Sequence, residues 1–186
     1  MAKKIQTEKK QQTKLKDSKN ILYKVIPAAL VLAVLIYLFL PNLFKKSEKD
    51  SEYVFRKDGE LTFVDSTGSR TITKIDVQIA DNDFDRELGL MFRKHMQENR
   101  GMLFIFPQET VQNFWMRNTF IPLDMIFVNS KDDIVTIQHA TQTLSDQTYS
   151  STAPALYVIE VNLDFTNKYN IKVGDKINWV RTQPKL

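Results

Sequence analysis

From Glu60 onward, apolar residues recur at every second position in short runs, each closed by Gly, Asn, Asp or Ser. That pattern predicts β-strands separated by turns. Segments 60–65 and 71–79 alternate around Asp65-Ser-Thr-Gly68, which predicts a hairpin. In the second of them Ile75, Val77 and Ile79 face one way, while Lys74, Asp76 and Gln78 face the other. Further strands are expected at 102–106, 112–116, 123–129, 133–139, 156–162 and 176–181, with Asn129-Ser-Lys-Asp132 turning between two of them. Strand 123–129 is apolar on both faces: Leu123, Met125 and Phe127 on one, Ile126 and Val128 on the other. It should therefore be covered on both sides. The period changes to 3.6 over 81–93, where Phe84, Leu88 and Met91 form a stripe, and a shorter helix is expected over 164–169. Many short strands with one or two helices predict a mainly β domain, a compact sandwich or flattened barrel.

A different pattern precedes this domain. Residues 21–40 carry a single charge, Lys24, and a head with seven Lys against Glu8 and Asp17 stands before them. Twenty helical residues rise about 30 Å, the thickness of a bilayer's hydrocarbon core. Lys24 lies one turn inside the start and snorkels back to the headgroups, and Pro41 stops the helix. The lysine excess places the N-terminus in the cytoplasm. The chain thus reads as a cytoplasmic head (1–20), a transmembrane helix (21–40), a tether (41–52) and an exported β-rich domain (53–182). Its expected location is the cell (inner) membrane, with the domain periplasmic or extracellular. The rival readings are a cleaved signal peptide and a buried soluble helix. Against cleavage, Pro-Asn-Leu-Phe-Lys-Lys follows Leu40 and offers no small-x-small site.

This division changes how the charge is read. The net charge of +4 is not a property of the domain, because residues 1–50 hold 11 Lys against 4 acids. Residues 51–186 hold 15 basic and 18 acidic side chains. The basicity sets topology, and none remains to argue for nucleic acid. Cysteine is absent, which removes thiol nucleophiles, zinc–thiolate sites and disulfides.

Candidate chemistry is sparse. Asp81-Asn-Asp83-Phe-Asp85 starts like a calcium loop, but Arg86 and Phe92 stand where the loop needs Gly and Glu, so helix capping is the better reading. Arg86 and Arg93, seven residues apart, would share a helix face with Gly89 between them, as an anion clamp or as partners of internal carboxylates. Asp124, at the polar end of its strand, and Glu160, on the face of Leu156 and Val158, need partners if buried. Arg86, Arg93 and Arg117 are the candidates for an ionic network, and a catalytic acid–base pair is the sharper alternative. Met91, His95 and Met96 lie close enough in sequence to suggest copper(I), yet Met102, Met116 and Met125 fall where methionine fills cores, so no metal and no cofactor is expected. His139 ends a strand and reads as a surface or hydrogen-bonded residue. Phe114 and Trp115, beside Asn118 and Thr119, suit either a pocket wall or an aromatic core. Gly-x-Ser-x-Gly and His-Glu-x-x-His do not occur.

Three blocks carry a resemblance: Arg86-Glu-Leu-Gly-Leu-Met-Phe-Arg93, Gly101-Met-Leu-Phe-Ile-Phe-Pro107, and Phe114-Trp-Met-Arg-Asn-Thr-Phe-Ile-Pro-Leu-Asp124. With Ser151-Thr-Ala-Pro-Ala-Leu-Tyr-Val-Ile-Glu160 and Ile171-Lys-Val-Gly-Asp175, they resemble domain-of-unknown-function family 192, also called uncharacterised protein family 0127, over about 75–180. The resemblance implies a compact, mainly β domain, often exported or membrane-attached, and supplies no activity. Its motif positions fall here on Arg86, Gly89, Met91, Arg93, Trp115, Met116, Asn118, Pro122, Asp124 and Glu160. Some relatives carry a Cys pair before the Pro-Ala segment, and this chain has none.

Three functional readings follow. In the first, a binding or accessory module of the cell envelope holds a small ligand or envelope component near Arg86, Arg93, Trp115, Asn118, Asp124 and Glu160. In the second, a hydrolase-like enzyme uses Asp124 or Glu160 beside an arginine. In the third, the same residues form a structural salt-bridge network. The expected partners are the lipid bilayer, through 21–40, and that ligand.

Overall fold

A computed structural model describes residues 54–139 and 141–183, together with Ile36. The expected head, the tether and the rest of the span lie outside the described residues. Among the described residues no helix is long and apolar enough to cross a membrane. The chain divides between Glu52 and Tyr53, and the fold below is that of the second unit.

The domain is mainly β, as the alternation predicts, but it is neither a two-sheet sandwich nor a closed barrel. Among the described residues nine strands occur: β1 (Gly59–Val64), β2 (Thr71–Ala80), β3 (Arg100–Thr110), β4 (Asn113–Phe114), β5 (Leu123–Val128), β6 (Ile134–Gln138), β7 (Tyr149–Ser150), β8 (Ala155–Asn162) and β9 (Lys176–Arg181). Seven of them form one sheet in the order β6-β5-β8-β3-β2-β1-β9, and β4 pairs with β7 in a separate ribbon. Only the β2–β3 pair is parallel. The sheet is not closed. Its edges touch at one end, through an isolated bridge between Asp133 and Lys176 and bonds such as Ile134 N–H to the Asp175 carbonyl (2.8 Å). Strand twist coils the sheet toward one of its faces until the edges touch there.

That coiling makes two cores. Leu61, Ile75, Leu103, Ile126, Ile159 and Ile177 pack on the concave side. Met102, Phe104, Leu123, Met125, Phe127 and Val158 pack on the other, beneath the connecting segments. All of β5 is buried, which is why both of its faces are apolar. Both expected hairpins form: β1–β2 turns with Gly68 N–H on the Asp65 carbonyl (2.8 Å), and β5–β6 with Asp132 N–H on Asn129 (3.1 Å). Pro107 supplies no ladder donor, and the β3–β8 register shifts between Ile105 and Thr110.

Two expectations are corrected. Helix α1 spans only Asp83–Leu88, because the chain leaves it at Gly89 with φ 48°, ψ −132°, a conformation side chains disfavour. Phe84 is therefore exposed rather than part of a buried stripe, and Leu90 is the residue that enters the core. The strand expected over 112–116 shrinks to Asn113–Phe114, because the chain there covers the second core instead of joining the sheet. The short helix appears as α2 (Phe165–Lys168).

Candidate functional site

The segment that starts the site is set by local polar chemistry. Asn82 caps α1, its side-chain oxygen accepting from Asp85 N–H at 2.9 Å, and Asp83 and Asp85 fill the first turn against the helix dipole. Asp81 is engaged elsewhere, by Arg181 at 2.8 Å. The capping reading of this acidic run therefore holds.

Between α1 with its following turn and the β4 segment lies a cleft of about 330 Å³. Phe104, Phe106, Phe114 and Trp115 wall it, α1 contributes Asp83, Arg86 and Glu87 to its lining, and Glu160 lines it from β8. The aromatic walls brace each other edge to face, with the Phe114 centroid 5.1 Å from Phe104 and 6.1 Å from Phe106. Trp115 is 40 % exposed, and the Arg117 guanidinium stacks on it at 4.7 Å.

Arg86 is anchored rather than swinging free. It donates to the Ile105 carbonyl at 2.8 Å, pairs with the solvent-exposed Asp83, and sits 5.7 Å from the Phe106 centroid. Arg93 does not share a helix face with it, because α1 has already ended. It is buried behind the cleft, donating to Gln78 Oε1 (3.1 Å) and to the Gly89 carbonyl (3.3 Å). Arg117 pairs with Asp146 at the surface. Of the three arginines expected to serve the internal carboxylates, Arg86 and Arg117 pair with Asp83 and Asp146, and Arg93 acts on Glu160 through its charge.

Glu160 is 4 % exposed. Burial pushes its carboxyl up to about 8, against the opposing pull of the Arg93 guanidinium. Burial thus favours the protonated form of this carboxyl in a cleft walled by aromatic rings.

Asp124 lies elsewhere. It is fully buried and accepts from Thr166 N–H (3.0 Å) and Thr166 Oγ1 (2.6 Å), tying β5 to the first turn of α2. His139 Nδ1 lies 3.0 Å from the same hydroxyl and 4.0 Å from the carboxylate. Asn118 is a positioning residue with a left-handed backbone (φ 54°). Its carbonyl accepts Phe92 N–H at 2.9 Å, and its amide reaches Met91 Sδ at 4.0 Å, fastening one wall to the other. Of the six residues singled out in the sequence, the cleft brings together Arg86, Trp115 and Glu160. Arg93 and Asn118 support it, and Asp124 is outside it. Met102, Met116 and Met125 are buried core.

Sequence reasoning did not assign Phe104, Phe106 and Glu87 to the site. The alternation of Met102, Phe104 and Phe106 put them on one face, but only the cross-strand pairing of Met102 with Glu160 shows that this face carries the carboxyl.

The comparisons agree with this architecture. The DUF192 family model, described as "Uncharacterized ACR", matches residues 63–179. A UPF0127 protein of Pyrococcus furiosus is 33 % identical over 110 residues, covering 58 % of this chain and 90 % of that one. Another from Pyrococcus abyssi is 31 % identical over 106 residues, with 56 % and 86 % covered. Among solved structures, a Sinorhizobium meliloti protein described as a candidate transcription regulator superposes with a TM-score of 0.62 at 32 % identity, over 66 % of this chain and 93 % of its own. A Novosphingobium aromaticivorans protein of unknown function gives 0.60 at 30 %, over 64 % and 84 %. The chain belongs to the DUF192 family.

Proposed function

We propose that this chain is a membrane-anchored binding module whose cleft holds a small ligand. The observation that carries the reading is the buried Glu160 carboxyl lining an aromatic cleft of ligand size. Pockets of this kind, mostly apolar with a few convergent polar groups and a perturbed carboxyl, are where proteins bind small molecules. Arg86 stands in the lining, held by a backbone carbonyl on one side and only by the exposed Asp83 on the other.

The anchor is proposed from the apolar run 21–40 and the lysine head before it. On that topology the domain works outside the cytoplasm, tethered to the bilayer. The transcription-regulator description of the Sinorhizobium protein is not carried to this chain, whose residues 51–186 are slightly acidic.

Thermal shift of the full detergent-solubilised chain, screened against small organic cations, anions and sugars, tests the cleft. A ligand that raises Tm should lose its effect in Trp115→Ala and Glu160→Gln and keep it in Arg117→Ala. A ligand whose effect survives both cleft substitutions binds elsewhere and refutes the reading. A hydrolase-like reading, with Glu160 as general acid, draws on its raised pKa alone, since Asp124 lies on another face.

A further inference from the structure

The charges that line the cleft are uneven. Asp83 and Glu87, with the ionisable carboxyl of Glu160, stand against Arg86 alone, and Arg86 is already engaged by the Ile105 carbonyl, by Asp83 and by the Phe106 ring. Glu160 is nine-tenths buried and more, it lines the cleft from β8, and the charge acting on it is that of the Arg93 guanidinium. The walls beside it are the rings of Phe104, Phe106, Phe114 and Trp115, whose faces carry negative potential and attract cations.

From this we infer that the ligand is an organic cation, an ammonium or quaternary ammonium group that seats against Glu160 between the aromatic walls. The inference rests on the reading of the cleft as a ligand site and adds the ligand's chemical class. The groups that face Glu160 set the terms of binding. Arg93, in the turn that follows α1, acts on it through its charge and does not line the cleft. Asp83, Arg86 and Glu87 lie on α1. The cross-strand neighbours, Met102 on β3 and Met125 on β5, are uncharged. Glu160 lines the cleft and Arg93 does not, so the carboxyl is the group of this pair that a ligand in the cleft meets. Seating the cation converts the Glu160 acid to its anion, and the displaced proton leaves to solvent, so one charge enters the site and one departs. Burial holds the free carboxyl near 8. Affinity should therefore rise about tenfold per pH unit below that value and level off above it.

Titration calorimetry of the full solubilised chain between pH 6 and 9 tests this with three probes of similar shape: benzyltrimethylammonium, benzyl alcohol and benzenesulfonate. The cation should bind most tightly, release about one proton below pH 8, and weaken tenfold or more in Glu160→Gln with its pH dependence gone. Trp115→Ala, a change on a half-exposed wall that should leave the fold intact, should weaken the cation roughly fivefold. Equal or tighter binding of the alcohol or the sulfonate overturns the cation assignment while leaving the cleft as a site. Binding by none of the three also overturns it, and the cleft then rests on the wider ligand screen.

Discussion

Asp124 and Glu160 lie on neighbouring strands one register step apart, and they point to opposite faces of the sheet. Met125 is the partner of Glu160, and Asp124 is the partner of Val161, so the two-residue period sends one carboxyl to each core. Glu160 joins Met102 and Met125 beneath the cleft, and Asp124 joins the side of Ile126 and Val128, under α2. The two cannot share a proton or a substrate, and their substitutions should behave differently.

Asp124→Ala removes the acceptor for both the amide and the hydroxyl of Thr166 in a fully buried position. It should cost about 3 kcal/mol of stability, read from urea denaturation of the full chain. Ligand affinity measured on the folded fraction should stay unchanged.

Glu160 makes the fold sensitive to alkali. Its folded-state pKa, about 8, lies above its ordinary value of 4.5, so the folded state holds the proton that the unfolded state has lost. The sign is therefore destabilising as pH rises: nothing is lost below about 4.5, and the loss is complete above about 8. Within that window Glu160 should remove about 1.4 kcal/mol per pH unit. Glu160→Gln, compared with the native chain in denaturation series at pH 5 and pH 9, should match it at the lower pH and exceed it at the higher. Parallel curves would show that Glu160 ionises normally.

Gly89 ends α1 with a positive φ and leaves its would-be Cβ 3.3 Å from the Phe104 ring. Its carbonyl also receives Arg93. Gly89→Ala should cost about 2 kcal/mol through backbone strain alone, and it should weaken cleft binding as well, because the strain falls on the wall that carries Arg86. Gly68→Ala, at a positive φ with open space around it, serves as the comparison: it should cost about 1 kcal/mol and leave binding intact.

Much of this was legible in the sequence, and the reasons divide cleanly. Alternation exposed Ile75, Val77 and Ile79 as one face of β2 and the two apolar faces of β5, because burial on each side leaves a period-two trace. Turn residues marked both hairpins. The sheet's global form left no such trace: parallel pairing of β2 with β3, and the approach of β6 to β9, depend on contacts between segments distant along the chain. The periodic stripe predicts a longer helix than α1 because Gly89 falls inside it, whereas the backbone conformation of Gly89 ends the helix. The site was legible as a set of residues and not as a place. Separating Asp124 from Glu160 requires the β5–β8 register, which pattern alone does not supply.

The proposed topology has its own test, made simple by the absence of cysteine. Ser18→Cys lies in the lysine head, and Ser66→Cys in the exposed β1–β2 turn. A membrane-impermeant maleimide applied to intact cells, with access through any outer membrane provided, should label the second and spare the first until the cells are lysed. Equal labelling of both before lysis, or of neither, would refute the anchored, N-in arrangement.

The central claim is that Glu160 is the working group of a cation-binding cleft, and its own titration tests this most directly. Carboxyl-¹³C NMR of the full chain, with the Glu160 resonance assigned through Glu160→Gln, should give a midpoint near 8 in the free protein. Saturating benzyltrimethylammonium should move that midpoint down by a unit or more. A free midpoint near 4.5, or one that the cation leaves in place, would contradict the account.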